Sequence, residues 1–465
     1  NVMEACRSAK VEALACKTII ESEVDAVKAL QETEAAQADA AVIYLGNFGP
    51  EGPLSIFAER FPGPVMLCAA AEENRNSLIQ GRGDAMCGML SASFNMALRE
   101  IPVYIPPIPA ALPDQIAKQI DHFSKVATIL IGLSGLKVFA FGPRPHDFYT
   151  CNTPLKGLYD LGVEVMENSE LDLLQLFEDT NAAEPEVKNI LEEMTEELGA
   201  GNQYPDLLPK LARFEVTLRR FADQNIGASQ YAAFANKCWP GFESAFGFVP
   251  CYVNSRMAGS GIPVACEVDI YGAVSEYLCQ LASGSPATLL DINNTVPTDM
   301  LESDLDLMGA KPADLFMGFH CGNTASECTK SCQMKYQLIM HRLMEGPDAK
   351  PDITRGTLEG QLRPGPVTMF RLQSHDDGWL GSYIAEGNVL DVDPRSFGSI
   401  GIISIPDFAR FYRHVLLAKS FPHHGAFAFS GCGRILYDAM TMLAADDIDT
   451  PLPAMKLYDG ENPFE

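Results

Sequence analysis

The chain has 465 residues, with 34 Lys or Arg against 61 Asp or Glu and a formal net charge of −27. No basic field is left to neutralise phosphates, which excludes nucleic acid as a partner. Hydrophobic residues make up 47% and charged residues 20%, an ordinary globular composition, long enough for two or three domains at roughly 150 residues each.

Residues 1–21 include Glu4, Arg7, Lys10 and Glu12 and no apolar run of a signal peptide. There is no initiator Met and no opening strand, so the natural start is expected to lie upstream. Over residues 23–68 an alanine-rich helix (24–38), an apolar run (40–45), a glycine turn, a short helix and a second apolar run (65–68) alternate, as in βαβ units with a mostly parallel sheet. The longest apolar stretch, 127–141, is broken by Ser134 and Lys137 and falls short of the ~18 residues that suggest a membrane span, so it reads as core. The pattern restarts with strands at 137–142 and 162–166, which puts a domain boundary near residue 135. Residues 171–236 are helix-rich, with apolar residues at three- and four-residue spacing in 187–194 and 208–221. After about residue 285 Gly- and Pro-punctuated strands take over (367–372, 381–389, 398–405), before a closing helix at 434–445. The expected fold is α/β: two Rossmann-like α/β domains, 1–135 and 136–285, then a β-rich, antiparallel barrel-like domain, 286–465. The 13 cysteines are scattered and read as reduced thiols of a cytoplasmic protein.

Neither G-x-G-x-x-G after a first strand nor G-x-x-x-x-G-K-S/T occurs, so no dinucleotide or triphosphate signature is present. Cys321, Cys328 and Cys332 are not spaced as a paired zinc knuckle. Three segments carry more. In 261–273 an apolar strand ends in Glu267, which opens a helix to about Ala282; the carboxyl end of a strand is where ligands sit in open α/β sheets, although Glu267 as a plain helix cap reads equally well. In 284–294 an apolar strand ends in Asp291, followed by Asn293 and Asn294, a pattern that a simple Asx turn also explains. In 421–429 His423 and His424 lead into an apolar strand, and because neighbours on an extended chain point to opposite faces, only one of them is expected to face a given site. Two carboxylates and a neutral imidazole form a mixed O/N set suited to Mn²⁺. Such an ion polarises a carbonyl and its neighbouring hydroxyl while a carboxylate moves the proton, as sugar isomerisation requires.

The segments Gly142-Pro143-Arg144-Pro145-His146-Asp147-Phe148-Tyr149, Cys251-Tyr252-Val253-Asn254-Ser255-Arg256, Cys266-Glu267-Val268-Asp269-Ile270-Tyr271-Gly272, Asp291-Ile292-Asn293-Asn294, Phe319-His320-Cys321-Gly322 and His424-Gly425 resemble, in this order, the L-fucose isomerase and L-arabinose isomerase family. The resemblance implies three domains, a homo-oligomer, commonly a hexamer, with active sites near subunit boundaries, and Mn²⁺. It makes Glu267 and Asp291 the metal-binding acid/base pair and His424 the histidine ligand, since the family's ligand immediately precedes the glycine. His423 stands where fucose isomerases have Asn and carries over as a substrate contact that points away from the usual sugar. Further substrate-binding candidates are His320, Lys237, Trp239, Arg144, Asn293 and Trp379, the last beside Asp376, Asp377 and Gly378. Their plainer readings are a buried structural histidine, a helix-end lysine, a core tryptophan, a carboxylate anchor, an Asx turn and a hairpin residue.

The implied activity is a metal-dependent aldose–ketose isomerisation of a free 5- or 6-carbon sugar through an enediol. An anionic or sulfonated hexose would need Arg144, Arg256 or Lys237 facing the pocket. The competing readings are a catalytically silent sugar-binding or regulatory paralogue and a metal-dependent epimerase or dehydratase. No membrane partner is expected.

Overall fold

Three apolar runs near the start of the chain form β1 (Ala41–Leu45), β2 (Val65–Ala70) and β3 (Ala110–Ala111), a parallel sheet in the order β1-β2-β3. The computed structural model describes residues 1–79, 83–302, 309–375, 378–445 and 447–464. It divides into one unit of residues 1–131 with 441–444 and another of residues 132–440 with 445–465.

In the first unit the helices Glu23–Ala35, Glu51–Arg60 and Ala85–Leu98 bury Ala26, Ala29, Leu54, Phe57, Met89 and Met96 against Ile43, Leu45 and Leu67. Small alanines on the first helix let it lie close to its neighbours, and the Ser22 side chain accepts the Asp25 N–H to start it. One face stays uncovered. Met86, Leu90, Phe94 and Leu98, at four-residue spacing on the helix Ala85–Leu98, are between 68% and 73% exposed.

The second unit opens with β4 (Leu136–Gly142), β5 (Glu164–Ser169), β6 (Tyr231–Ala235) and β7 (Val264–Ala265), all parallel in the order β5-β4-β6-β7. Phe139, Phe141 and Phe234 pack there with Phe221 of the helix Leu208–Asn225. Because the strands are parallel, their carboxyl ends share one edge, and the chain leaves it as Gly142-Pro143-Arg144 after β4, Asn236–Trp239 after β6 and Cys266-Glu267 after β7.

The remaining strands are β8 (Ala287–Asn294), β9 (Leu315–His320), β10 (Thr329–Tyr336), β11 (Arg355–Leu362), β12 (Gly365–Ser374), β13 (Leu380–Val389), β14 (Ser399–Ser404), β15 (His424–Ala428) and β16 (Asp447–Asp449). They form one sheet in the order β10-β11-β14-β9-β8-β15-β12-β13-β16, and β13 also pairs back to β14, so six strands close a ring of pairings. The sheet is mixed rather than antiparallel as expected, because β11 with β14 and β13 with β16 run parallel. Between this sheet and the parallel one lies the helix Ile270–Ser283, packed on β8, β12 and β15 and on β4, β6 and β7. It is buried on nearly every face, as a helix apolar all round must be. Its one carboxylate, Glu276, is buried, its Oε2 finds no partner, and burial pushes its pKa up to about 8. No helix among the described residues is long and apolar enough to cross a membrane.

Candidate active site

β7 is only two residues long, and the chain then turns through Glu267 (φ 59°) and Val268 (φ 53°). Two consecutive positive φ values at residues with side chains, one β-branched, are uncommon and costly. They throw the Glu267 carboxylate out of the strand direction. Glu267 does not cap the following helix: Asp269 does, its Oδ1 accepting the Gly272 N–H at 2.8 Å. The plain-cap reading therefore moves two residues along the chain.

Asp291 and His424 lie directly opposite each other in the antiparallel pair β8/β15. His424 is fully buried; its Nδ1 lies 2.8 Å from Asp269 Oδ2, and its Nε2 3.2 Å from Asp291 Oδ1 and 3.7 Å from Glu267 Oε2. His423 also reaches the cluster, with Nε2 3.1 Å from Glu267 Oε2 and 3.8 Å from Asp291 Oδ1. This corrects the expectation that only one of the pair faces the site. β15 begins at His424, so His423 sits in the bend before it, where strand alternation does not apply. The two rings stand 4.2 Å apart, and Phe148 stacks on His423 at 5.6 Å. His320, at the end of β9, places its ring 5.9 Å from that of His424, and its Nδ1 accepts the Cys321 N–H at 2.9 Å.

Three buried atoms here lack a well-directed hydrogen bond: Asp291 Oδ1 and His424 Nε2, which face each other at 3.2 Å, and His320 Nε2. Asp291, His320 and His424 bring one ligand atom each within 4.8 Å of one another, as do Cys151, Glu267 and His424. Buried polar atoms are normally satisfied, so a convergent set of orphans marks a place made for something else. Three carboxylates, Glu267, Asp269 and Asp291, surround His424; Asp269 is paired with the buried guanidinium of Arg371, and the other two carboxylates with the imidazole Nε2 form a donor set that suits a divalent cation.

Burial alone would raise the pKa values of Asp269 and Asp291; Arg371 and His424 hold Asp269 well below the carboxylate range, and the histidines hold Asp291 below it. For His424, burial lowers the pKa, while Glu267, Asp269 and Asp291 outweigh it and raise the value well above that of a free imidazole. Burial lowers that of His320. Cys151 Sγ lies 3.9 Å from both Glu267 Oε2 and His424 Nδ1, and burial pushes the thiol up to about 11, so it stays neutral.

The other candidates scatter. Lys237 is buried, and its ammonium is engaged by Pro143 O at 2.8 Å and Glu170 Oε2 at 3.0 Å. Trp239 meets Phe148 edge-on at 6.0 Å and so extends the aromatic wall behind His423. Arg144 follows β4, 3.5 Å from the exposed carboxylate of Glu167. Arg256 is enclosed by Glu193, Glu197 and Glu215. Asn293 and Trp379 are exposed, and Asp376 and Asp377 beside the latter lie outside the described residues. Sequence reasoning missed Asp269, Arg371, Cys151 and Phe148. Arg371 did carry a signal, as the single charge within the apolar run 367–372.

Comparison with known proteins matches residues 1–134 to the N-terminal domain of fucose/sulfoquinovose isomerases and residues 318–449 to the C-terminal domain of L-fucose isomerase. The chain belongs to the fucose isomerase-like family. Within that family it is similar to the sulfoquinovose isomerase of Priestia aryabhattai, at 24% identity over 391 residues, covering 83% of this chain and 79% of that protein. The sulfoquinovose isomerase of Alkalicoccus urumqiensis is 25% identical over 68% of this chain and 65% of its own length. This fucose isomerase-like chain is accordingly an enzyme of the aldose–ketose isomerase class.

Proposed function

We propose that the enzyme interconverts a free sulfonated hexose and its ketose through an enediol, using a divalent ion, Mn²⁺ by its ligand chemistry. The observation that carries this reading is the meeting of Glu267, Asp291 and His424 around orphaned buried atoms. Those three residues would hold the ion, which supplies polarisation of the sugar's carbonyl and adjacent hydroxyl. Glu267 and Asp291 exchange the proton between C1 and C2, acting in turn as base and acid. His320 accepts from the backbone at Nδ1, so in its neutral form it presents Nε2–H to a sugar oxygen. His423, braced by Phe148 and hydrogen-bonded to Glu267, orients that carboxylate, and Phe148 with Trp239 provides an apolar wall for the sugar ring.

The sulfonate is supported by the names of the relatives and by Arg144. All three basic residues weighed for an anion have an acidic partner, but Lys237 is bound to Glu170 at 3.0 Å and Arg256 to the buried Glu215 at 2.7 Å, whereas Arg144, at the carboxyl edge of the parallel sheet, has a longer pair with an exposed carboxylate, Glu167 at 3.5 Å. The same reading takes the enzyme to be cytoplasmic and a homo-oligomer. The test is ketose formation from neutral and sulfonated aldoses by Mn²⁺-supplemented protein, with and without excess chelator. Conversion of a sulfonated hexose that chelator abolishes is the expected result. Turnover that survives exhaustive chelation overturns the metal role, and inactivity of Mn²⁺-loaded protein on every sugar overturns the isomerase.

A further inference from the structure

Two histidines share this pocket, and what each meets at Nδ1 differs. His320 Nδ1 receives a backbone N–H from Cys321. His424 Nδ1 faces Asp269 Oδ2 at 2.8 Å. A carboxylate has no proton to give, so Nδ1 of His424 must be the donor, which leaves Nε2 to carry a lone pair toward Glu267 and Asp291 when a cation replaces its proton. His320 is set the opposite way, with its proton on Nε2. The hydrogen-bond partners therefore sort one imidazole into a ligand and the other into a donor.

Asp269 is held for this task from every side. Arg371 Nη1 and Nη2 reach Oδ2 and Oδ1 at 2.7 and 2.9 Å, and Arg371 is itself fixed by Gln373 Oε1, 3.0 Å from Nε and 2.6 Å from Nη2. Asp269 and Arg371 are both completely buried. The approach is also sterically prepared, since a Cβ on Gly272 would lie 2.5 Å from Asp269 Oδ2. A buried ion pair of this kind is a poor device for stability alone, because desolvation offsets most of its attraction.

We propose that Asp269, locked by Arg371, is a positioning residue that sets the tautomer and direction of His424 and thereby the affinity of the site for its divalent ion, without being a ligand itself. This rests on the metal reading above. Partners of this type at metal-bound histidines are worth about 10–100-fold in affinity.

The test is Mn²⁺ titration of metal-free protein, with free Mn²⁺ read by its EPR signal, for wild type, Asp269→Asn and Arg371→Lys. In D269N an amide NH₂ would confront two fixed donors at the Oδ1 position, Gly272 N–H and Arg371 Nη2, against one, Arg371 Nη1, at the Oδ2 position, so the amide turns its NH₂ toward His424, disfavouring the Nδ1–H tautomer and weakening the hold of Arg371. The expected result is a 10–100-fold weaker Mn²⁺ affinity in D269N and an intermediate loss in R371K. A purely structural role would instead lower the apo Tm and leave affinity unchanged in whatever folds. Wild-type affinity in folded D269N overturns the proposal; should D269N not fold, wild-type affinity in R371K does so. A wild type that takes up no Mn²⁺ overturns the metal reading instead.

Discussion

Glu267 occupies a left-handed backbone conformation followed by a second one at Val268, and such strain persists only where surrounding contacts over-determine it. Here it aims a carboxylate at two imidazoles. Glu267→Gln preserves shape and removes the base, so kcat should fall by roughly 10²–10⁴-fold with KM little changed, read in a ketose-formation assay; near-normal turnover would take Glu267 out of the proton transfer. Arg144→Gln should raise KM for a sulfonated hexose about tenfold and leave a neutral aldose unaffected, a loss of one charge-assisted contact; equal effects on both sugars would deny Arg144 a role in anion recognition. Glu267, Asp291 and His424 were legible in the sequence because each ends or begins an apolar run within a short ordered motif. Asp269 lay in the same motif and was passed over, since its importance comes from Arg371 and His424, 102 and 155 residues away. The resemblance puts His423 at the site and strand alternation puts only one of the pair there; alternation fails because His423 precedes the first residue of β15.

The helix Ile270–Ser283 separates the two sheets and buries Glu276 with an unpartnered oxygen. Burial pushes its pKa from an ordinary 4.5 up to about 8, so the folded chain keeps a proton that the unfolded chain releases, and stability falls as pH rises from about 4.5 to 8. Glu276→Gln removes that loss. Its Tm should exceed that of wild type at pH 8.5 and match it near pH 5, by scanning calorimetry; an equal gain at both values would assign the effect to packing. The helices Pro185–Leu198 and Leu208–Asn225 were readable from three- and four-residue apolar spacing, and the parallel strands from their runs between helical segments. The closure of β13 onto β14 and the parallel pairings of β11 and β16 were not, because strand order is decided by partners far along the chain and leaves no local mark.

On the surface of the first unit, Met86, Leu90, Phe94 and Leu98 form an uncovered apolar row, the kind of patch that marks a contact face rather than ordinary exposure. In the proposed homo-oligomer this row is the natural seam, and Leu90→Asp with Phe94→Asp should shift the sedimentation coefficient toward the monomer; an unchanged value would place the seam elsewhere. The second unit shows a different consequence of its layout. Glu267 follows the parallel sheet, while Asp291 and His424 are neighbours in the mixed sheet, and 156 residues separate His423 from Glu267. Neither sheet alone contains a working pocket. During refolding, local helices and hairpins form early and pairings between distant segments late, so activity should return after the far-UV CD signal has recovered, and a ligand of the finished pocket will act as a clamp on the last step of folding.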